Sequence, residues 1–403
     1  PTDACLLEAP LLTGVAMDQV LEKFIADFEA GMKRLSLISA HDAMIILRSC
    51  LGAPKLTYVL RSSPCAGHSA LNRYDILLRG ALCRLFNICL SDDQWLQASL
   101  PIRMGGLGIR SVSHLAPSAF LASAAMTHEL QDRIFSNAIL PDDSDVFRIQ
   151  EIWSSLSGIH DLAEIATLQS QASWDSVICL QLFNSIMTNM TDIADRARLK
   201  AVSAEHSSDW LYALPLSACG LRLDDESVRI SVGLRLGAKL CEPHTCPCGS
   251  QVDSYGLHGL SCKKSSGRAS RHNYLNDIIW RALTRAGVPS VKEPTGLSRS
   301  DGKRPDGLTL IPWDLGKCTT WDVTVTDTMA ASYVQNSSHI AGFAAEKAAE
   351  RKVLKYTELS TSYNFIPIAF ETLGPPNSSG SDFIKEIGSR MRARMEDVRE
   401  SSY

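Results

Sequence analysis

Lys303-Arg304-Pro305-Asp306-Gly307 runs into the apolar stretch Leu308-Thr-Leu-Ile-Pro-Trp313. After four intervening residues comes Cys318-Thr-Thr-Trp321-Asp322-Val-Thr-Val325. Leu308, Leu310 and Pro312 alternate with Thr309 and Ile311, which predicts a strand reaching Trp313, and the β-branched second run predicts another. Asp306 stands at the mouth of the first strand. Asp322 lies inside the second, where solvation is poor and a lone charge is costly. A carboxylate so placed needs a partner, and a divalent cation shared with Asp306 would supply one.

The residues around this pair fill out a small α/β domain. Leu275, Ile278, Ile279 and Leu283 recur at helical spacing between Ser270 and Ala286, and Gly287-Val-Pro-Ser stops that helix. Beyond the two strands, a helix is expected from about Ile340 to Leu359. Phe365-Ile-Pro-Ile-Ala-Phe then reads as a strand ended by Gly374-Pro-Pro, and a polar helix starts near Asp382. The order helix, strand, strand, helix, strand is that of a layered α/β unit.

The N-terminal half reads differently. Val20, Phe24 and Phe28, then Leu35 to Ile38, then Met44 to Leu47 predict two or three helices before Leu60, and Leu71 to Phe86 continues the pattern. Pro101-Ile-Arg-Met-Gly-Gly-Leu-Gly-Ile109 breaks it, since glycines this close together require a turn or a close backbone approach. Residues 112 to 215 are helical again, cut at Pro141-Asp-Asp-Ser and between Ser155 and Gly158, with Trp153, Trp174 and Trp210 as core anchors. A strand and a short helix are expected between Gly220 and Gly237. The main domain boundary is placed between Ala201 and Leu240, where composition shifts towards Cys, His, Gly and basic residues.

With 403 residues, 45% hydrophobic and 21% charged, the chain has ordinary globular composition and room for two or three domains. No uninterrupted apolar run approaches 18 residues and no basic-then-apolar leader opens the chain, so an intracellular protein without membrane contact is expected. The Pro-Thr-Asp start without methionine suggests a fragment of a longer protein. A net charge of −4 excludes a chain that is basic throughout. Nucleic-acid contact therefore requires a local patch. One lies between Lys263 and Arg304, where ten Lys and Arg residues face only three acids. Lys263, Lys264, Arg268, Arg271, Lys303 and Arg304 are its candidates for phosphate contact.

Of twelve cysteines, most stand singly in helical apolar stretches, as buried free thiols do. One group is clustered. Cys246-Pro-Cys248-Gly, His258 and Cys262 place three thiols and an imidazole in a short glycine-containing segment, a ligand set suited to a structural tetrahedral zinc. Cys241, His244 and His272 are near enough to replace one ligand. His272 is otherwise expected to cap its helix or to meet phosphate beside Arg271.

Phosphodiester cleavage needs a metal at the phosphoryl group and a cationic or basic group near the attacking water. Asp306 and Asp322 are the candidate ligands for magnesium or manganese. The lysine expected two residues after the second acid is missing, because Thr324 stands there. Lys352 and Lys355, three apart on the following helix, share a face and are the candidate catalytic lysines, with Lys347 behind them. Glu371 and Asp277 are further acids that could join the site. The bland reading remains open: Pro-Asp as a turn, Asp322 as a backbone cap, and the lysines as a solvated face paired with Glu350 or Glu358.

Taken together, Cys-x-Cys-Gly, Gly256-Leu-His258-Gly-Leu-Ser-Cys262, Arg271-His272-Asn273, Gly302-Lys-Arg-Pro-Asp306-Gly, Trp321-Asp322-Val-Thr-Val and Lys352-x-x-Lys355-Tyr356 resemble the C-terminal part of non-LTR retrotransposon reverse transcriptase polyproteins. Leu90-Ser-Asp-Asp-Gln-Trp95 and Ala98 to Ile109 resemble the region after the polymerase palm in the same elements. The resemblance implies a multidomain chain with a mainly α N-terminal half, a small zinc-knuckle and an α/β PD-(D/E)xK-like nuclease. In residues, it implies a thumb-like region at 1–115, a helical connector at 116–240, the zinc-knuckle at 241–268 and a restriction-like endonuclease at 269–403. It implies DNA as target, element RNA as partner through the parent polyprotein, and nuclear action. No aromatic-x-Asp-Asp motif is present, and Ser91-Asp92-Asp93 reads as an N-cap, so this chain is not expected to polymerise DNA. Two other readings compete: a binding module with structural zinc whose nuclease has decayed, and a helical scaffold with a zinc clip and well-separated carboxylates.

Overall fold

The computed structural model describes residues 5–134, 144–165, 167–297 and 302–396. The cut expected at Pro141-Asp-Asp therefore falls outside the described residues, as do Arg299 and Asp301 of the basic patch. The chain is mainly helical with small sheets, and it forms two compact units. One comprises Pro1–Thr191 and Leu211–Lys239, the other Asp192–Trp210 and Leu240–Tyr403.

The first unit opens with a short hairpin, β1 (Cys5–Leu6) and β2 (Ala9–Pro10), and continues through α1 (Val15–Leu35), α2 (Ala40–Ile46), α3 (Ala53–Ser62), α4 (Ser69–Phe86) and α5 (Asp92–Ser99). A π-helical turn at Leu47–Leu51 joins α2 to α3. The stretch Ala40–Ser62 is long and apolar enough to cross a membrane by length and composition alone. Leu47, Leu56 and Leu60 on it are nevertheless fully buried in the unit, as in the core helix of a folded domain. Ser91 caps α5 in a capping box with Gln94. The glycine turn that follows is held by buried polar groups. Gln97 Nε2 donates to the Gly105 carbonyl, and Arg235 donates to the carbonyls of Ile102 and Gly106. A Cβ on Gly106 would lie 2.0 Å from the Leu100 oxygen, so only glycine fits there.

Helix α6 (Val112–Ile134) runs through the 115/116 position. Its first turn is capped from outside by buried Asp75 of α4, which accepts from Val112 N, Ser113 N and the hydroxyls of Ser111 and Ser113. Then come α7 (Ser144–Ser157), α8 (Leu162–Ile165) and α9 (Gln171–Asn189). Trp153 and Trp174 meet edge to face in this core, whereas Trp210 is half-buried and belongs to the second unit. Helix α10 (Ile193–Val202) also belongs to the second unit, while α11 (Asp225–Leu236) returns to the first. The strand expected after Gly220 does not form. Asp224 caps α11 through the Ser227 N–H and Gly237 ends it at φ 67°, so helix start and stop signals override the local alternation.

The second unit carries the hairpin β3 (His244–Thr245) and β4 (Gln251–Val252), the single turn α12 (His258–Ser261), α13 (Ser266–Arg285), β5 (Ser290–Lys292), β6 (Gly307–Thr309), β7 (Thr319–Thr326), α14 (Val334–Ser337), α15 (Phe343–Lys355), β8 (Asn364–Glu371) and α16 (Ser378–Met395). Strands β5, β6 and β7 are antiparallel, and β8 adds parallel to β7 across the α14–α15 connection that a parallel pair requires. Helices α13 and α16 cover one face, burying Ile279, Leu283, Trp321, Val323, Ile368 and Phe383 together. Ala345 and Ala349 of α15 pack on Ala369, and these small side chains let that helix lie close to the strands.

Strand β6 is shorter than expected. Pro312 has no N–H for a ladder, and Thr309 turns inward: its hydroxyl bonds the Ile311 carbonyl and accepts from Thr319 N. Leu310 and Ile311 are left exposed at the hairpin tip. Helix α15 starts at Phe343 because Gly342 adopts φ 78°, and after Lys355 the chain tightens into a 3-10 turn at Thr357–Thr361.

Candidate metal and nuclease centre

Gly307 and Trp321 explain why the two carboxylates meet. They are register partners across β6 and β7, and the indole fills the space a Cβ would take. Asp306 N donates to the Trp321 carbonyl, and Val323 N donates to Asp306 Oδ2 at 2.6 Å. This pins the Asp306 carboxylate beside Asp322. Trp321 and Val323 enter the α13–α16 core, so Asp322 between them turns to the opposite side of the strand. There it meets the last turn of α15: Lys352 Nζ lies 2.9 Å from Oδ1 and Lys355 Nζ 3.9 Å from Oδ2. Lys355 also donates to the Tyr356 hydroxyl, which donates to the Arg304 carbonyl.

Asp322 is only 3% exposed, and its Oδ2 has no hydrogen-bond partner. Burial raises its pKa above the ordinary value and repulsion from Asp306 adds to this, against the pull of Lys352. Asp306 is also penalised by burial, but hydrogen bonds from His272 and the Val323 N–H outweigh this and hold it below the usual range. A buried carboxylate oxygen without a hydrogen bond, beside a second carboxylate, is the donor set expected for a divalent cation.

His272 belongs to this cluster, which the sequence did not assign to it. Its Nε2 lies 3.0 Å from Asp306 Oδ2, and that hydrogen bond raises its pKa. The available signal was a polar pair in a hydrophobic stripe. His272 and Asn276 occupy the same face of α13 as Ile279 and Leu283. Asn276 accepts from Trp321 Nε1 and donates to the Asp306 carbonyl.

Other sequence candidates lie elsewhere. Asp277 pairs with Arg281 and Lys292, and Lys347 with Glu350. Buried Glu371 sits at the far end of β8 opposite Thr326, where it accepts from Ala344 N and caps α15. Of the basic residues, Lys264 donates to the Pro247 carbonyl, Arg271 to Leu260, and Arg304 pairs with Glu293. Lys263, Arg268 and Lys303 are exposed. Arg268 and Arg351 line an open cleft with Lys352 and Lys355.

The second cluster is built on the β3–β4 hairpin and α12. One ligand atom each from Cys246, Cys248, His258 and Cys262 lies within 4.8 Å of the others. Cys246 and Cys262 Sγ are 3.7 Å apart. Two thiolates at roughly 2.3 Å from a tetrahedral zinc would be about 3.8 Å apart, so the donors present fit that ion. The Ser250 hydroxyl and N–H pull the Cys248 thiol down to about 6, towards the thiolate that zinc requires. Cys241 bonds the Asp253 carbonyl and His244 the Glu242 carbonyl, so neither joins the four.

Similarity to known proteins points to a class: the chain is retrotransposon-related. It is 21% identical over 345 residues to the 132 kDa protein of the retrotransposable element SLACS of Trypanosoma brucei gambiense. The match takes in 83% of this chain and 25% of that protein, so the chain spans about a quarter of its relative's length. No protein-family model matches the chain.

Proposed function

We propose that the second unit is a metal-dependent DNA endonuclease of PD-(D/E)xK type, braced by a zinc-knuckle, in a retrotransposon polyprotein. The observation that carries this is the approach of Lys352, displaced onto α15, to within 2.9 Å of Asp322 beside Asp306. It supplies the cation that Thr324 cannot. The strand arrangement, with an antiparallel hairpin followed by a parallel fourth strand, also supports the reading.

Asp306 and Asp322 would hold magnesium or manganese, which when bound polarises the phosphoryl group. Lys352, fixed by Asp322, would stabilise charge gathering on the phosphate as water attacks and the P–O3′ bond breaks. Lys355, oriented by the Tyr356 hydroxyl, would place a second cation on the side of the cleft where Arg268 and Arg351 meet the DNA backbone. The zinc-knuckle would hold the start of α13, and with it His272, through the Arg271–Leu260 bond. The product is a nick whose 3′ hydroxyl primes copying of element RNA by the parent's polymerase, an intracellular, nuclear event without membrane contact.

The test is whether nicked product is extended by an added polymerase. Extension from the nick supports a 3′ hydroxyl terminus, whereas a blocked 3′ end contradicts this chemistry.

A further inference from the structure

We propose that His272 Nε2 is a third ligand of the divalent cation and that it biases the site towards manganese over magnesium. The inference rests on the metal-site reading above and adds a residue and a selectivity to it.

His272 stands at the head of the apolar stripe of α13, with its side chain 36% exposed and its Nε2 turned to Asp306. Asn276, one turn on, locks this stretch of α13 to Trp321 and to the Asp306 carbonyl, so His272 is presented to Asp306 by a fixed backbone. The 3.0 Å between His272 Nε2 and Asp306 Oδ2 matches the spacing of adjacent ligands around an octahedral ion with bonds of about 2.1 Å. Across from them is the buried Oδ2 of Asp322, which accepts no hydrogen bond, and one donor atom from each of the three residues lies within 4.8 Å of the others.

The remaining ring nitrogen is also accounted for. Nδ1 lies 3.3 Å from Asn273 Oδ1, an acceptor for the Nδ1 proton; with that proton in place, a cation that displaces the Nε2–H from Asp306 would take the Nε2 lone pair. A donor set of two carboxylates and one imidazole differs from the all-oxygen set magnesium prefers. Imidazole suits first-row transition ions, and manganese, the earliest and most oxygen-seeking of them, still tolerates it better than the s-block magnesium ion does.

The experiment titrates Mn2+ into the zinc-loaded full chain, following the free-ion electron paramagnetic resonance signal with Mg2+ as competitor and no DNA present. Wild type is expected to prefer Mn2+ by on the order of tenfold or more, His272→Gln to lose most of that preference, and His272→Asp, an all-oxygen set, to bind Mg2+ as well as Mn2+. Undiminished Mn2+ preference in both His272 variants would overturn the inference while leaving the metal site standing. Undiminished Mn2+ binding in Asp322→Ala would instead overturn the metal-site reading on which it rests. Helical circular dichroism and zinc content report whether each variant is folded.

Discussion

Lys352 Nζ lies 2.9 Å from Asp322 Oδ1, joining the last turn of α15 to the middle of β7. Lys352→Met removes the ammonium and leaves a buried carboxylate beside Asp306. The variant should lose about two orders of magnitude in nicking rate and about 2 kcal/mol of stability in the metal-free protein. Denaturant melts and plasmid assays read the two effects separately. A variant as active as wild type would remove Lys352 from the site.

Zinc on the Cys246, Cys248, His258 and Cys262 cluster would order a segment with little apolar core, since Val252 and Cys262 are its main buried side chains. Chelation, or Cys262→Ser, should make residues 241–262 protease-sensitive and release bound zinc at one equivalent per chain. Resistance unchanged after complete zinc removal would show that the hairpin stands without the ion.

Gly307 tests the packing that aligns the carboxylates. In Gly307→Ala the new methyl would fall 1.9 Å from Trp321 Cζ2, inside a ring that has no exposure. The cost should be about 2–3 kcal/mol, with a change in tryptophan fluorescence. A fully stable variant would mean that the strand pair has slack.

Burial raises the pKa of Glu371 above its ordinary 4.5, against hydrogen bonds from the N–H groups of Ala344 and Ala345. A carboxyl raised on folding binds its proton more tightly in the native state. Its contribution to stability is therefore lost as pH rises from the unfolded value through the folded one. Glu371→Gln keeps an acceptor for Ala344 N and should flatten that part of the stability-versus-pH curve. An unchanged slope would rule out Glu371 as its source.

The convergence of Lys352 on Asp322 was one of two readings the sequence left open, beside that of a turn, a backbone cap and a solvated lysine face. Asp322 interrupts a β-branched run, and two lysines three apart share a helix face that follows. The grouping of Cys246, Cys248, His258 and Cys262 was legible by spacing, with Cys241, His244 and His272 open as substitutes, but the β3–β4 hairpin beneath it was not read. What escaped depended on tertiary context. His272 is flanked by Arg271 and Asn273, so locally it reads as a phosphate contact, and only the position of α13 against β7 turns it to Asp306. The end of β6 was missed because alternation continues through Leu310 and Pro312 although the ladder cannot. The short helix expected before Gly237 forms over Asp225–Leu236, whereas the strand read from the alternation of Leu221 and Leu223 does not, because it runs straight into the strong Asp224 cap.

The most direct measurement is nicking of supercoiled plasmid by the purified chain with Mg2+ or Mn2+, wild type against Asp322→Ala. The account predicts metal-dependent nicking by wild type and none by the variant, with zinc content equal in both. Equal nicking by both proteins, or no nicking by a wild type that holds zinc and binds DNA, would contradict it.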